Sequence, residues 1–168
     1  MNIEKNDRNE QSGIPPEDRA DESLRGTPRE GEEAALLAEE AARLILEKKG
    51  HDVIIMDVGE LTDVTRFFVI CSCDNDVHVR AVAENVRDEL AKEGVKPWKT
   101  EGWQGMTWIL MDYVDVVVHV FYNDTRNFYK LERLWADAPS RRISDDPAPG
   151  IPTSTGREGE TETGEENE

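Results

Sequence analysis

Residues 107–122 read TWILMDYVDVVVHVFY: two apolar runs, rich in aromatic and β-branched side chains, separated by Tyr113, Val114 and Asp115. Such runs predict strands over 107–112 and 116–122, and a link this short predicts antiparallel neighbours. Working back toward the N-terminus, Phe67–Cys73 reads as another buried strand, and 53–58 as a third, with Asp57 its one polar residue. Residues 95–100 supply a further strand. Together these predict an α/β fold built on a mixed sheet of about five strands with packed helices.

Between the strands the apolar spacing changes to that of helices. Over 34–49, Leu37, Ala41, Leu44, Ile45 and Lys48 stack on one side, and Gly50 is expected to take the left-handed position after the last turn. Val77, Val79, Val82, Val86 and Leu90 predict a second helix, started by a cap at Asn75 or Asp76 and stopped at Gly94. After Asn123 and Asp124, Phe128, Leu131 and Trp135 share one face of a short C-terminal helix that Pro139 closes.

Charge sets the boundaries. The chain has 168 residues and a formal net charge of −17, of which 34–143 holds −5, 1–33 holds −5 and 144–168 holds −7. The two ends have few large apolar side chains and are expected to be acidic, disordered tails around one domain at 34–143. Such an excess of negative charge disfavours a broad nucleic-acid footprint, gives no sequence-specific nucleic-acid reading, and favours a basic protein partner. No apolar run approaches the roughly 20 residues needed to cross a bilayer, so no membrane partner is expected and the cytoplasm is the default location. Cys71 and Cys73 are expected as one buried and one more exposed thiol, without a mutual disulfide.

Several constellations invite a chemical reading. Asp74 and Asp76 form an Asp-x-Asp at a strand end, and with Asp112 they motivate a metal-dependent nucleotidyltransferase. No small loop to receive a triphosphate precedes them, so helix capping is the stronger expectation. No phosphate-binding or dinucleotide glycine motif occurs, and His51, His78 and His119 lack metal-ligand spacing, so no cofactor, metal or catalytic residue is expected. His119 falls inside an apolar run and reads as a hydrogen-bonded structural histidine. His78 sits at the first turn of a helix, where binding and structural roles are equally open. Trp103 lies in a polar, glycine-flanked stretch and is a candidate binding anchor, as is Trp98 nearby. Arg126, Lys130 and Arg133 alternate with aromatics as they would on any half-buried helix.

With Phe67 to Ile70, His78-Val79, Glu101-Gly102, 108–113, 115–121 and Tyr129 to Trp135 in view, the chain resembles the ribosomal silencing factor family, also called RsfS or Iojap. The resemblance implies a nucleotidyltransferase-like fold without evident catalytic apparatus, hence a binding module and not an enzyme. It implies docking to the large ribosomal subunit, chiefly through large-subunit protein fourteen, so that the small subunit is sterically kept from joining and translation is repressed. A large-subunit assembly module without silencing activity is the alternative, and a homodimer is compatible with the family. The family-motif positions are His78, Glu101, Trp108, Asp112, Tyr113, Asp115, His119, Tyr129, Glu132 and Trp135. The chain departs from the family pattern at the acidic loop 73–77 and at Val114, which stands where the family has glycine. A β-branched residue is strained at positive φ, so this turn is expected to be rebuilt.

Overall fold

The computed structural model describes residues 28–144. The chain runs α1 (Pro28–Glu47), β1 (His51–Asp57), β2 (Phe67–Cys73), α2 (Asp76–Lys92), β3 (Lys99–Glu101), β4 (Trp108–Asp112), β5 (Val116–Tyr122), α3 (Asn123–Tyr129), α4 (Leu131–Leu134) and β6 (Ser140–Ile143). The proposed tails fall almost wholly outside the described residues, although α1 begins at Pro28, ahead of the expected start. Proline is preorganised for the first helical position and Glu30 places a carboxylate at the positive end of the helix dipole.

All six strands join one mixed sheet in the order β3-β4-β5-β2-β1-β6. Only β2 and β5 run parallel, from Phe67↔Val116 to Cys73↔Tyr122. The hairpin read from the sequence is present, with β4 and β5 antiparallel from Trp108↔Phe121 to Asp112↔Val117. The expected five strands become six because β6 pairs antiparallel with β1, Val53 opposite Ile143. The residues of β6 are Ser140, Arg141, Arg142 and Ile143, mostly exposed, so no apolar run announces this edge strand.

Alternation divides the core into two. Val53, Ile55, Val69, Val118 and Val120 point to the side covered by α1 and α2, where Leu44, Ile45, Val86 and Leu90 meet them. Ile54, Met56, Phe68, Ile70, Val117 and Phe121 point to the other side, where Leu131, Trp135 and Ala138 form a smaller cover. Cys71 and Cys73 are both fully buried on the α1/α2 side, which corrects the expectation that one would be exposed: residues two apart in a strand share a face. Burial pushes the Cys71 thiol well above its ordinary value.

Three turn features differ from the sequence reading. The left-handed residue after α1 is Lys49 (φ 63), not Gly50. Gly50 is required by contact, since a Cβ there would lie 2.5 Å from Ile45 Cγ2. Lys130 takes φ 47 and breaks the expected C-terminal helix into α3 and α4, which turns Phe128 away from the core while Leu131 and Trp135 pack. Between β4 and β5 the turn is not rebuilt: Val114 itself adopts φ 76. Asp115 N–H donates to the Tyr113 carbonyl at 3.1 Å, and Val114 N–H donates to Asp112 Oδ1 at 2.8 Å. The side chain is exposed, so the cost is backbone strain of about 1–2 kcal/mol with no packing penalty.

Candidate docking surface

Cross-strand register places several candidate residues on the face opposite α1 and α2. Leu110 pairs with both Glu101 and His119, Asp112 with both Lys99 and Val117, and Trp108 with Phe121. Directly opposed residues share a face of the sheet, so Glu101, Trp108, Leu110, Asp112 and His119 look the same way. The connection 123–139 brings Tyr129 and Trp135 onto this face.

The result is a continuous aromatic cluster. Trp108 stacks on Phe121 with centroids 4.7 Å apart and lies 4.9 Å from Tyr129. Phe68 meets the His119 ring edge-to-face at 5.0 Å and Trp135 at 5.3 Å. The Trp108 indole N–H donates to His119 Nδ1 at 3.2 Å, so the ring proton of neutral His119 resides on Nε2, which has no hydrogen-bond partner. Burial of His119 among these rings drives its pKa down to about 4. The hydrogen-bonded structural histidine is therefore half satisfied, and it is held neutral near pH 7.

The cover over this cluster is thin. Trp108, Leu110, Leu131 and Trp135 are only partly buried against it, while Tyr129, Phe128 and Leu134 are 51%, 79% and 75% exposed. α3 and α4 are anchored by a polar clamp. Buried Arg126 donates from Nε to Glu132 Oε1 at 2.7 Å, and from one terminal nitrogen to the Asp52 carbonyl at 2.8 Å and Ser72 Oγ at 2.9 Å. Glu132 therefore acts behind the surface, holding the guanidinium that joins this segment to β1 and β2. In sequence Arg126 looks like any cation of a half-buried helix, because nothing local distinguishes an arginine whose acceptors lie 74 and 54 positions away.

The remaining candidates lie elsewhere. Trp103 is half-buried against the α1/α2 core with the Arg87 guanidinium 4.9 Å from its ring centroid. Tyr113 points to the same side; its hydroxyl lacks a partner and burial raises its pKa to about 12. His78 links elements: its Nδ1 accepts from Asp74 N–H at 3.2 Å and its Nε2 donates to the Lys48 carbonyl at 2.8 Å, tying the start of α2 to the end of α1. Asp115 occupies the β4–β5 turn, where its carbonyl accepts from Arg66 and Phe67. Trp98, 76% exposed, precedes the edge strand β3. Gly102, paired with Glu101 in the motif, has φ 89 and sits so close to β4 that a Cβ would come within 1.8 Å of the Trp108 carbonyl oxygen.

The three carboxylates of the nucleotidyl-transfer reading do not converge. Asp74 follows the C-terminal end of β2, where it accepts from His51 Nε2 at 3.0 Å and Asn123 Nδ2 at 3.4 Å. The α2 cap is Asn75, whose Oδ1 accepts from His78 N–H at 2.8 Å, while Asp76 Oδ1 accepts from Val77 N–H. Asp112 aligns through Val117 with Phe68, six residues along β2 from Asp74, or roughly 20 Å at strand rise. Among the described residues no group of three or more His, Cys, Asp or Glu side chains is placed to hold a metal, and no helix is long and apolar enough to cross a membrane.

The family described as "Ribosomal silencing factor during starvation" matches this chain over residues 31–168. The ribosomal silencing factor RsfS of Bacillus subtilis is 38% identical over 99 residues, covering 59% of this chain and 84% of that protein. The chloroplastic protein Iojap of Zea mays is 32% identical over 97 residues, covering 58% of this chain and 42% of that protein. A crystal structure of a Chromobacterium violaceum protein superposes with a TM-score of 0.57 at 31% identity, covering 73% of this chain and 95% of that one.

Proposed function

The chain belongs to the ribosomal silencing factor family, and from that premise we propose that it docks on the large ribosomal subunit, chiefly on large-subunit protein fourteen. Bound there, it blocks joining of the small subunit by occupying space, with no chemical step. Its site of action is then the compartment where subunits join, the cytoplasm. The observation that carries the reading is the thinly covered aromatic face of the sheet, where Trp108, Leu110 and Trp135 remain half-buried and Phe128, Tyr129 and Leu134 are exposed. Contiguous exposed apolar surface edged by polar groups is characteristic of protein interfaces, and aromatic anchors dominate their energetics. Glu101 and Asp112 edge the same face and suit a basic partner. The separation of Asp74 from Asp112 supports a binding role over nucleotidyl transfer.

Co-sedimentation of the purified chain with separated large subunits, small subunits and joined ribosomes tests the reading. Selective binding to large subunits, with slower subunit joining by light scattering, is expected. Equal binding to all three defeats it, and selective binding without an effect on joining replaces silencing by an assembly role.

A further inference from the structure

Charge changes sign along the folded part of the chain. Residues 34–124 hold nine basic against seventeen acidic side chains, whereas 125–143 hold five basic against two acidic, a net charge of +3. That cationic stretch is most of α3, with α4 and β6. The chain then turns strongly acidic, with eight carboxylates and one arginine over 145–168. Part of the positive charge is already answered within the fold: Arg126 holds Glu132, Arg141 pairs with Glu39 at 2.6 Å, and Arg142 pairs with Asp52 at 3.3 Å. Lys130 and Arg133 are exposed, and among the described residues neither side chain has an ion pair or hydrogen bond. Asp137, in the link to β6, is the one acid of the stretch left over.

The two free cations are interleaved with exposed Phe128, Tyr129 and Leu134, the Phe128 and Tyr129 rings meeting edge-to-face at 5.1 Å. The chain leaves the fold beside this surface. β6 ends with Ile143 opposite Val53, and Asp52 next to it accepts from Arg126 through its carbonyl. Ser144 therefore emerges close to the Arg126 anchor of α3, and Lys130 lies one turn on, its N–H donating to the Arg126 carbonyl at 2.8 Å. The 24 residues that follow Ser144 span roughly 25–30 Å end to end as a flexible chain, ample to lie across 128–134. Their chemistry is complementary in kind: Asp145 and Asp146 come first, then a stretch at 147–152 with Pro147, Pro149, Ile151 and Pro152, then alternating glutamates from Glu158.

We propose that the acidic segment 145–168 docks on the exposed surface of 128–134 in its own chain, with carboxylates on Lys130 and Arg133 and 147–152 lying on Phe128, Tyr129 and Leu134. Each exposed ion pair is weak by itself. Proline-rich chain loses little freedom on meeting aromatic rings, and the tether holds the segment at an effective concentration of about millimolar. A nucleic acid offers similar anionic and stacking chemistry, but it has to approach a chain of net charge −17, whereas the tail is already attached. The contact does not rest on the ribosomal reading. What it adds to that reading is a tethered competitor that leaves the exposed end of the aromatic face before a partner takes it.

Paramagnetic NMR of the full chain decides it. A nitroxide on Ser154→Cys reports where the tail lies, since Cys71 and Cys73 are fully buried and leave the new thiol as the reactive one. Broadening centred on amides of 127–134, independent of protein concentration, is expected. It should fade at about 0.5 M salt, where the screening length is roughly 4 Å. Lys130→Asn with Arg133→Gln should lower the ratio of docked to free tail roughly fivefold, the loss of two exposed ion pairs. Asparagine is chosen because it tolerates the left-handed backbone at position 130. Broadening that ignores both salt and these substitutions is that of a tail merely attached nearby, and overturns the docking; broadening that rises with concentration overturns the contact within one chain. A short oligouridylate is the rival probe. If it shifts the same amides with equal affinity in the native chain and in one whose tail carboxylates are carboxamides, the surface belongs to RNA and the tail is not its occupant.

Discussion

The two faces of the sheet are made from the same strands by the same alternation, yet they are finished differently. On one side α1 and α2 lay down Leu44, Ile45, Val79, Val82, Val86 and Leu90, all essentially removed from solvent. On the other, two helices of seven and four residues cover Phe68 and Phe121 but leave Trp108, Leu110, Leu131 and Trp135 part-exposed. Long amphipathic helices bury most of the apolar area, so the first face carries stability. The second keeps aromatic area available, at the expense of a buried histidine with one nitrogen unpaired. On the proposed reading, the neighbours that this face lacks are those a partner would supply.

The sharpest way to break this division is to damage the covered face. Leu90→Ala leaves a cavity under α2 and should cost about 3 kcal/mol or more in urea unfolding, with selectivity for large subunits retained at temperatures where the variant stays folded. Loss of selectivity in a folded variant would show that the two faces are not separable. Next in size is the pH response of His119. Its folded pKa, about 4, lies below the ordinary 6.5, so the unfolded chain takes up the proton first. The stability associated with the neutral ring is fully present above about 6.5, falls as pH drops from there to about 4, and then levels, an effect of up to about 3 kcal/mol. Because carboxylates also titrate at the lower end, the measurement is the difference between the native chain and His119→Gln across pH 7 to 4. Parallel curves would remove His119 as the cause.

Smaller effects sharpen the comparison. Val114→Gly relieves positive-φ strain at an exposed turn and should raise stability by roughly 0.5–1 kcal/mol after the extra backbone freedom of glycine is counted; a loss on chemical denaturation would show that Val114 is held by something other than the turn. Phe128→Ala combined with Leu134→Ala removes two exposed side chains and should shift stability by less than about 0.5 kcal/mol. The same pair should speed dissociation from surface-bound large subunits at least several-fold. Unchanged dissociation would place the contact elsewhere on the molecule.

The hairpin, the buried central strands and the two long helices could be read directly from apolar periodicity, because each element's pattern is local and repeats over several turns or pleats. Trp108, His119, Tyr129 and Trp135 were identified as family-motif positions, but their assembly into one cluster depends on register across β4 and β5 and on the path of 123–139. Glu101 and Asp112 join them by the same register, whereas Trp103, Tyr113 and His78 fall on the other side of the sheet or at its end. Helical spacing puts Phe128 on the buried face only if the helix is unbroken, and the left-handed turn at Lys130 resets the phase.

What the sequence determined by itself was therefore five of the six strands, the two long helices with most of their buried stripes, and the concentration of acidity outside the central region. Tertiary structure decided which sheet face stays open, that Ser140–Ile143 becomes a sixth strand, that the C-terminal helix breaks at Lys130, and that Arg126 is buried. The physical reason is the range of the interactions. Periodicity is written in neighbouring residues, while Arg126 finds its acceptors at Asp52 and Ser72, and β6 finds its hydrogen bonds on β1. Contacts between such distant positions exist only once the chain has closed around its core.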